Sequence, residues 1–272
     1  MCKNIHRTFI DNQIFRSEKM KEAHLIVQGK GGVGKSLAST IVAQYIAAEA
    51  DVPVFCFDTD PVNQTFSRFK ALNPEVVNIL TADNTIDTRN FDGLIEKLLD
   101  GEGIAVVDNG AATFVPLMSY MAENHVDELL MENGVRLILH VPVMGGQSLN
   151  DCIIGLVQTA NSINADIIVW LNEFHGEVKT ADGKMFTDFQ AYKEYKSKII
   201  GMVKVAHRNP DTFGKDIQAM TSANLTFKEV EDSPDFGVMP RQRLRTVKRD
   251  LYAQLKKLPI WVNEQKADSA DE

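Results

Sequence analysis

A glycine-rich segment of eight residues, 29–36, constrains the fold more than any other part of the sequence. It contains Gly-Lys-Gly-Gly-Val-Gly-Lys-Ser and fits the pattern G-x-x-x-x-G-K-[ST]. An apolar run lies just before it, and residues 34–48 after it carry apolar side chains at helical spacing. Such a strand, loop and helix form the context in which this pattern cradles phosphate groups. The segment therefore predicts an α/β fold with a phosphate site after its first strand.

The residue types in this phosphate loop suit the binding of a nucleoside triphosphate with Mg²⁺. Backbone N–H groups must converge on phosphate oxygens, and a Cβ would obstruct that approach, which explains the glycines. Lys35 can reach the β- and γ-phosphates, and the Ser36 hydroxyl can bind Mg²⁺. The predicted cofactors are thus ATP and Mg²⁺. The nucleotide-binding residues predicted in this segment are Gly29, Gly31, Gly32, Val33, Gly34, Lys35, Ser36 and Leu37.

A second metal ligand is expected at the end of a neighbouring strand. Asp108 follows the apolar run 104–107, where a carboxylate can hold Mg²⁺ together with Ser36. The alternative is that Asp108 is a cap or turn residue. We predict that it binds the metal.

Two more aspartates, Asp58 and Asp60, lie at the end of the apolar run 52–57. Two positions apart in an extended chain, they face the same way. One of them could hold Mg²⁺-bound water while the other orients the attacking water. The alternative is an Asx-turn before Pro61. The predicted metal ligands are Ser36, Asp58 and Asp108.

A rival interpretation is a dinucleotide site. Residues 29–34 also fit G-x-G-x-x-G, and Asp58 lies about where a ribose-binding acid is found in such folds. That pattern gives no reason for Lys35 and Ser36, nor for Asp108. We therefore prefer the triphosphate site.

The rest of the chain alternates apolar runs of strand length with segments of helical periodicity. This pattern predicts an α/β fold with a doubly wound, mostly parallel sheet and helices on both faces. Of the 272 residues, 44% are hydrophobic and 24% are charged, and the net charge is −8, as in ordinary globular proteins. Three cysteines without CxxC spacing suggest neither a disulfide framework nor a zinc site.

The expected domain organisation is simple. Residues 1–21 are expected to be a flexible extension, and Met20 is a possible true start. Residues 22–260 are expected to form a single ATP-binding domain, and residues 261–272 an acidic tail. The sequence shows no apolar signal segment and no run of about 18 apolar residues, so we expect a cytoplasmic protein.

One further lysine, Lys30, directly precedes Gly-Gly-x-Gly-Lys-[ST], and here the sequence resembles the deviant Walker A motif of the ParA/MinD ATPases. Asp58-Thr59-Asp60-Pro61 is similar to that family's second-strand motif. The resemblance implies seven or eight strands, ATPase activity and a homodimer with ATP between its subunits. It implies that Lys30 reaches the partner's phosphates and that Asp60 positions the hydrolytic water. The expected catalytic residues are Lys30, Lys35 and Asp60.

The same resemblance suggests how the base is recognised. Asn172 matches the family position at a strand end where an amide reads the adenine edge, because an amide both donates and accepts. The alternative is a turn residue at the end of the strand.

The sequence also looks like the TraL proteins of plasmid conjugal transfer over nearly all of residues 22–258. The motifs that carry this resemblance are Val27-Gln28-Gly29-Lys30-Gly31-Gly32, Asp58-Thr59-Asp60-Pro61-Val62-Asn63-Gln64-Thr65, Asn90-Phe91-Asp92, Asp108-Asn109-Gly110-Ala111, Phe114-Val115-Pro116-Leu117, Val169-Trp170-Leu171-Asn172 and Arg241-Gln242-Arg243-Leu244. The resemblance implies a plasmid- or mobile-element-encoded bacterial protein that works with conjugation proteins.

The chain departs from ParA and MinD in three respects. Val62-Asn63 stands where partition ATPases usually carry Gln. We also expect no separate DNA-binding domain before the loop. The acidic residues 267–272 replace the basic amphipathic membrane anchor of MinD, so no membrane attachment is expected.

Basic residues on the last predicted helix leave a further possibility open. They could bind DNA without sequence preference, or they could form a solvated helix face. The residues concerned are Arg241, Arg243, Arg245, Lys248 and Arg249. The alternatives to a conjugation ATPase are a partition or DNA-positioning ATPase and a scaffold adaptor that binds ATP without hydrolysing it.

Overall fold

The computed structural model describes residues 20–268, which form a seven-stranded parallel sheet with helices on both faces. The strand order is β3-β2-β4-β1-β5-β6-β7, and every neighbouring pair is parallel. The predicted doubly wound α/β fold is therefore confirmed. The strands are β1 (Met20–Ile26), β2 (Val54–Asp58), β3 (Glu75–Val76), β4 (Gly103–Asp108), β5 (Arg136–Met144), β6 (Asp166–Asn172) and β7 (Ile199–Val205).

The helices connect these strands and pack on the two faces of the sheet. They are α1 (Lys35–Glu49), α2 (Asp92–Asp100), α3 (Phe114–Glu123), α4 (Val126–Glu132), α5 (Leu149–Ser162), α6 (Gln190–Tyr195), α7 (Lys215–Ser222), α8 (Phe227–Asp232), α9 (Val238–Leu255) and α10 (Trp261–Asp268). No helix within residues 20–268 is long and apolar enough to cross a membrane.

The sheet separates two apolar cores. Side chains alternate along a strand, so Leu25 faces the core shared with α2 to α5, whereas Ile26 faces the core shared with α1 and α9. All six residues of β4 are buried, as expected for a central strand covered on both faces.

The carboxyl ends of the central strands lie side by side, and this places the candidate site. Asp58 at the end of β2 pairs in register with Asp108 at the end of β4. Ile26 at the end of β1 is in turn the partner of Asp108. The phosphate loop, which leaves β1 directly afterwards, therefore runs beside both aspartates. In open parallel sheets, ligands bind at this edge.

Both ends of the chain differ from the expected domain boundaries. β1 already includes Met20, so the sheet begins within the stretch expected to be an extension, while residues 1–19 and 269–272 lie outside the described part. Residues placed in the acidic tail form α10, in which Val262 is buried and Asn263 accepts a hydrogen bond from Tyr45 in α1. The apolar run Ile260-Trp261-Val262 explains this packing, since it buries side chains before the acidic residues begin.

The two edges of the sheet are short or covered. β3 has two residues, so it pairs with only the last part of β2. At the other edge, the side-chain amide of Gln254 in α9 binds the backbone of Lys204 in β7. Its Oε1 accepts from the Lys204 N–H at 2.7 Å, and its Nε2 donates to the Lys204 carbonyl at 3.1 Å.

Candidate nucleotide-binding site

The phosphate loop joins β1 to α1 and leaves space on its outer side. Gly32 and Gly34 have φ angles of 74° and 95°, in the left-handed region that favours glycine. A Cβ on Gly32 would meet nothing within 4 Å, and one on Gly31 would only touch Ala111. The loop is thus an open cradle on which backbone N–H groups can meet an anion.

Lys35, the first residue of α1, lies inside this cradle. Its Nζ donates to the carbonyl of Lys30 over 3.1 Å, so the side chain folds back along the loop. Burial lowers the pKa of Lys35, while the carboxylates of Asp108 and Asp60 oppose that shift. Those carboxylates therefore help to keep the ammonium group of Lys35 charged. This group lies where the phosphate groups of a nucleotide are expected.

Asp108 is the most strongly perturbed carboxylate of the site. Burial raises its pKa to about 7, and hydrogen bonds from the hydroxyls of Ser36 and Ser39 oppose this rise. The Ser39 hydroxyl lies 2.8 Å from Oδ1 of Asp108. The predicted pair of Ser36 and Asp108 is therefore brought together at the start of α1.

Asp58 and Asp60 are brought to the same edge, but their carboxylates engage the backbone. Asp58 accepts from the N–H groups of Asp60 and Ser67 at 3.0 and 2.8 Å, which is the Asx-turn weighed as an alternative. Asp60 accepts from the N–H groups of Val62 and Asn63 at 2.9 and 3.0 Å. Burial raises the pKa of Asp58, and these two backbone N–H bonds oppose the rise. A metal role for Asp58 and a catalytic role for Asp60 stay predictions.

Lys30 forms an ion pair within its own chain. Its Nζ lies 2.8 Å from Oδ2 of Asp151 in α5, and both side chains are exposed. The hydrogen bond and charge of Asp151 raise the pKa of Lys30. The side chain thus lies on the surface, where a partner molecule could reach it.

Asn172 lies directly against the loop. Its Nδ2 donates to the carbonyl of Val33 at 3.0 Å, and its Oδ1 accepts from the N–H of Phe174 at 3.0 Å. A Cβ on Gly34 would lie 2.8 Å from Nδ2, so the glycine is required for this contact. The amide therefore makes the strand-end turn weighed above and also joins β6 to the loop, and adenine recognition stays a prediction.

The basic residues of α9 do not form a free cationic stripe, because each contacts a group of its own chain. Three of the arginines pair with carboxylates, Lys248 lies over the ring of Tyr252, and Arg241 donates to a backbone carbonyl. The carboxylate partners are Asp216 for Arg243, Glu231 for Arg245 and Asp250 for Arg249. The geometry favours a structural, solvated face over a DNA-binding one.

Three residues of the site were not predicted from the sequence: Ser39, Asp151 and Gln28. Ser39 lies one helical turn after Lys35, which is the only sequence signal that it faces Asp108. Asp151 is separated from Lys30 by about 120 positions, so no local pattern connects them. Gln28 is a polar residue after an apolar run, and its burial is visible only in the structure.

The comparison with known families agrees with this geometry. The family described as CobQ/CobB/MinD/ParA nucleotide binding domain matches residues 24–247. The chain belongs to this family of nucleotide-binding proteins.

Within that family, the chain is similar to two proteins of Escherichia coli named Protein TraL. The first is 40% identical over 243 residues, which make up 89% of this chain and 100% of the relative. The second is 40% identical over 238 residues, or 87% and 98% of the two chains. The resemblance to TraL proteins within the ParA/MinD class is thus confirmed.

Solved structures of similar fold include two MinD proteins. The septum site-determining protein MinD of Pyrococcus horikoshii, complexed with Mg-ADP, has a TM-score of 0.48 and 15% identity, covering 88% of this chain and 96% of that one. The cell division protein MinD of Aquifex aeolicus has a TM-score of 0.45 and 15% identity, covering 85% and 97%.

The residues present fit a nucleotide with a divalent cation. The open side of Gly31 and Gly32 provides room for phosphate groups, and Lys35 provides a charge for them. A hydroxyl and a carboxylate, from Ser36 and Asp108, are the hard oxygen ligands that Mg²⁺ prefers. The raised pKa of Asp108 indicates a buried carboxylate that a bound cation would stabilise.

Proposed function

We propose that this chain is a Mg-ATP-dependent ATPase of the ParA/MinD class that acts in conjugative DNA transfer through ATP-dependent homodimerisation. The observation that carries the proposal is the convergence of the phosphate loop, Lys35 and Asp108 at one edge of the sheet. The similarity to the TraL proteins supports a place in conjugation, with partner proteins of the transfer machinery in the cytoplasm of a bacterium.

Each residue has a defined task in this proposal. The loop N–H groups and Lys35 bind the phosphates, and Ser36 and Asp108 hold Mg²⁺, with Asp58 supporting a bound water. Bound Mg²⁺ offsets the charge that develops on the phosphate oxygens. Both backbone N–H bonds of the turn go to Oδ1 of Asp60, so its Oδ2, which accepts from the side chain of Asn63 at 3.3 Å, has acceptor capacity left to orient the attacking water.

Dimerisation requires that Lys30 exchange its partner. In the structure Lys30 pairs with Asp151, an exposed contact that water and salt weaken. The γ-phosphate of ATP held by a second subunit offers a larger negative charge at close range. Lys30 then reports the presence of the γ-phosphate, because ADP lacks the group it binds.

Molar mass in solution tests this proposal. Light scattering is performed with Mg-ADP and with a non-hydrolysable ATP analogue plus Mg²⁺, on the wild type and Lys30→Ala. We expect a dimer only with the ATP analogue, and a weaker dimer for Lys30→Ala. If each protein has the same molar mass with Mg-ADP and with the ATP analogue, the dimer mechanism is refuted.

Phosphate release separates the enzyme from an adaptor that binds ATP without turnover. We expect slow release of phosphate by the wild type and none by Asp60→Ala, which still dimerises with the analogue. A wild type that dimerises but releases no phosphate would make the chain an ATP-dependent scaffold.

A further inference from the structure

Gln28 is a buried side chain at the entrance of the phosphate loop, one residue before Gly29. Its Nε2 donates two hydrogen bonds to backbone carbonyls of other elements. One goes to Pro142 in β5 at 3.0 Å, and the other to Cys152 in α5 at 3.1 Å. A single amide thus joins the end of β1 to both β5 and α5.

The other end of the amide faces the loop and the middle of α5. Its Oε1 lies 3.5 Å from the backbone N of Lys30. A Cβ on Gly155 would overlap Oε1 and would lie 2.8 Å from Cδ of Gln28. Because glycine is unfavourable inside a helix, this close approach explains why Gly155 occupies the middle of α5.

Two contacts therefore connect the loop to α5. The exposed one is the ion pair of Lys30 with Asp151, and the buried one is the bond of Gln28 to Cys152, the next residue. The proposed dimer breaks the exposed contact, since Lys30 leaves Asp151. The buried contact then remains as the link between the two elements.

We propose that Gln28 is a positioning residue that holds the phosphate loop against α5, so that the position of α5 and the affinity of the loop for phosphate depend on each other. The proposal rests on the nucleotide site of the proposed function. It requires neither hydrolysis nor dimerisation. A shift of α5 reaches the loop through the amide of Gln28 and the packing of Gly155.

Binding of Mg-ADP, measured by calorimetry well below the unfolding temperature, tests the proposal. Gln28→Met keeps the length of the side chain and loses both donated bonds, so we expect binding about 10-fold weaker or more. Gly155→Ala should weaken binding in the same direction, because its methyl group displaces the amide. Leu98→Ala, which removes a fully buried side chain of α2 and leaves α5 unaltered, is the control. It should lower the Tm and leave the Kd unchanged.

A double-mutant cycle shows whether the two residues act together. In the background Gln28→Ala, the space for a methyl group exists, so adding Gly155→Ala should change the Kd by less than about 2-fold. If Gly155→Ala alone does not fold, the comparison of the Kd of Gln28→Met with that of Leu98→Ala still tests the proposal. Wild-type affinity in Gln28→Met, or an equal effect of Gly155→Ala in both backgrounds, would overturn the proposal. A wild type that binds Mg-ADP without hydrolysing ATP would instead refute only the proposed ATPase.

Discussion

The indole N–H of Trp170 donates to Nδ1 of His140 over 2.9 Å, and this bond sets the direction of a buried row of hydrogen bonds. Because Nδ1 of His140 accepts, its Nε2 carries the hydrogen and donates to Nδ1 of His24 at 2.9 Å. Nε2 of His24 then donates to Glu22 at 3.1 Å. Arg136 closes the row by donating to the same carboxylate. The row is satisfied only while His140 is neutral, because one of its ring nitrogens accepts and the other donates.

Protonation of His140 is therefore expected to destabilise the folded protein. Burial, together with the neighbouring His24, holds the pKa of His140 well below its usual value. The unfolded chain takes up a proton on this residue near pH 6.5, whereas the folded chain does not. The contribution of His140 to stability is fully present above about pH 6.5 and falls by about 1.4 kcal/mol per pH unit below it, towards the folded-state pKa. Asp108 contributes a slope of opposite sign below about pH 7, so the contribution of His140 is measured as a difference between the wild type and a variant without this imidazole, by denaturant unfolding between pH 8 and pH 5.

The matched variant for this prediction is His140→Gln. Its amide can accept from Trp170 and donate to His24, but it takes up no proton. On acidification below about pH 6.5, we expect the variant to lose less stability than the wild type, by the contribution of this one group. An equal pH dependence of stability in both proteins would refute this contribution of His140.

Asp108→Asn is expected to stabilise the nucleotide-free protein and to impair its site. Burial raises the pKa of Asp108 to about 7, so the acid form is favoured in the folded state. The contribution of the Asp108 carboxyl to the free energy of unfolding therefore falls as the pH rises from about 4 towards 7. At pH 8 the uncharged amide avoids that cost and still accepts from Ser39. The Tm should rise, while the affinity for Mg-nucleotide should fall by about 10-fold or more. A lower Tm at pH 8 would contradict this account.

Asp151→Asn is expected to leave stability unchanged and to favour the dimer. The ion pair with Lys30 is exposed, and such pairs contribute little. Without its partner, Lys30 no longer has to leave a carboxylate before it reaches a phosphate. The dimer should form at a lower concentration of ATP analogue, as measured by light scattering. Glu128→Gln, on the exposed surface of α4, is a control with the same change of charge. If Glu128→Gln lowers the required concentration of ATP analogue equally, the effect is due to net charge and not to the ion pair.

Arg243→Ala is expected to lower the Tm without affecting binding to DNA. Its guanidinium pairs with Asp216, a buried carboxylate of α7 that would lose its partner. Arg249→Ala, which removes a more exposed pair with Asp250, should have a smaller effect. Fluorescence anisotropy with labelled duplex DNA at low and moderate salt checks the second part. Strong, salt-dependent binding that Arg243→Ala abolishes would favour a DNA-positioning function.

The strands and the loop could be predicted because their signals are local. The apolar run 104–107 ends at Asp108 in both the sequence and the structure. Short helices were missed where tertiary packing stabilises them. An example is α8, whose start contacts α1 through the bond between Gln44 and the N–H of Phe227.

The sequence predicts which residues form the phosphate loop, but it does not predict the contacts that these residues make with other elements. The pattern of residues 29–36 assigned Lys35 and Ser36, since the spacing alone places them at the start of a helix. Nothing local indicates that Asp151 pairs with Lys30, because the two lie on different elements. The second bond of Asp58 likewise comes from the N–H of Ser67, nine residues away, which only the folded chain brings near.

The bonds between Gln254 and the backbone of Lys204 have a consequence for assembly. A side-chain amide there takes the place that a neighbouring strand would occupy, so no further strand can pair with that end of β7. At the opposite edge, β3 offers only two residues. Neither edge favours a continuous sheet that runs from one molecule into the next. Copies of this chain are therefore expected to meet through helices and loops, and such contacts can open and close without disturbing the sheet.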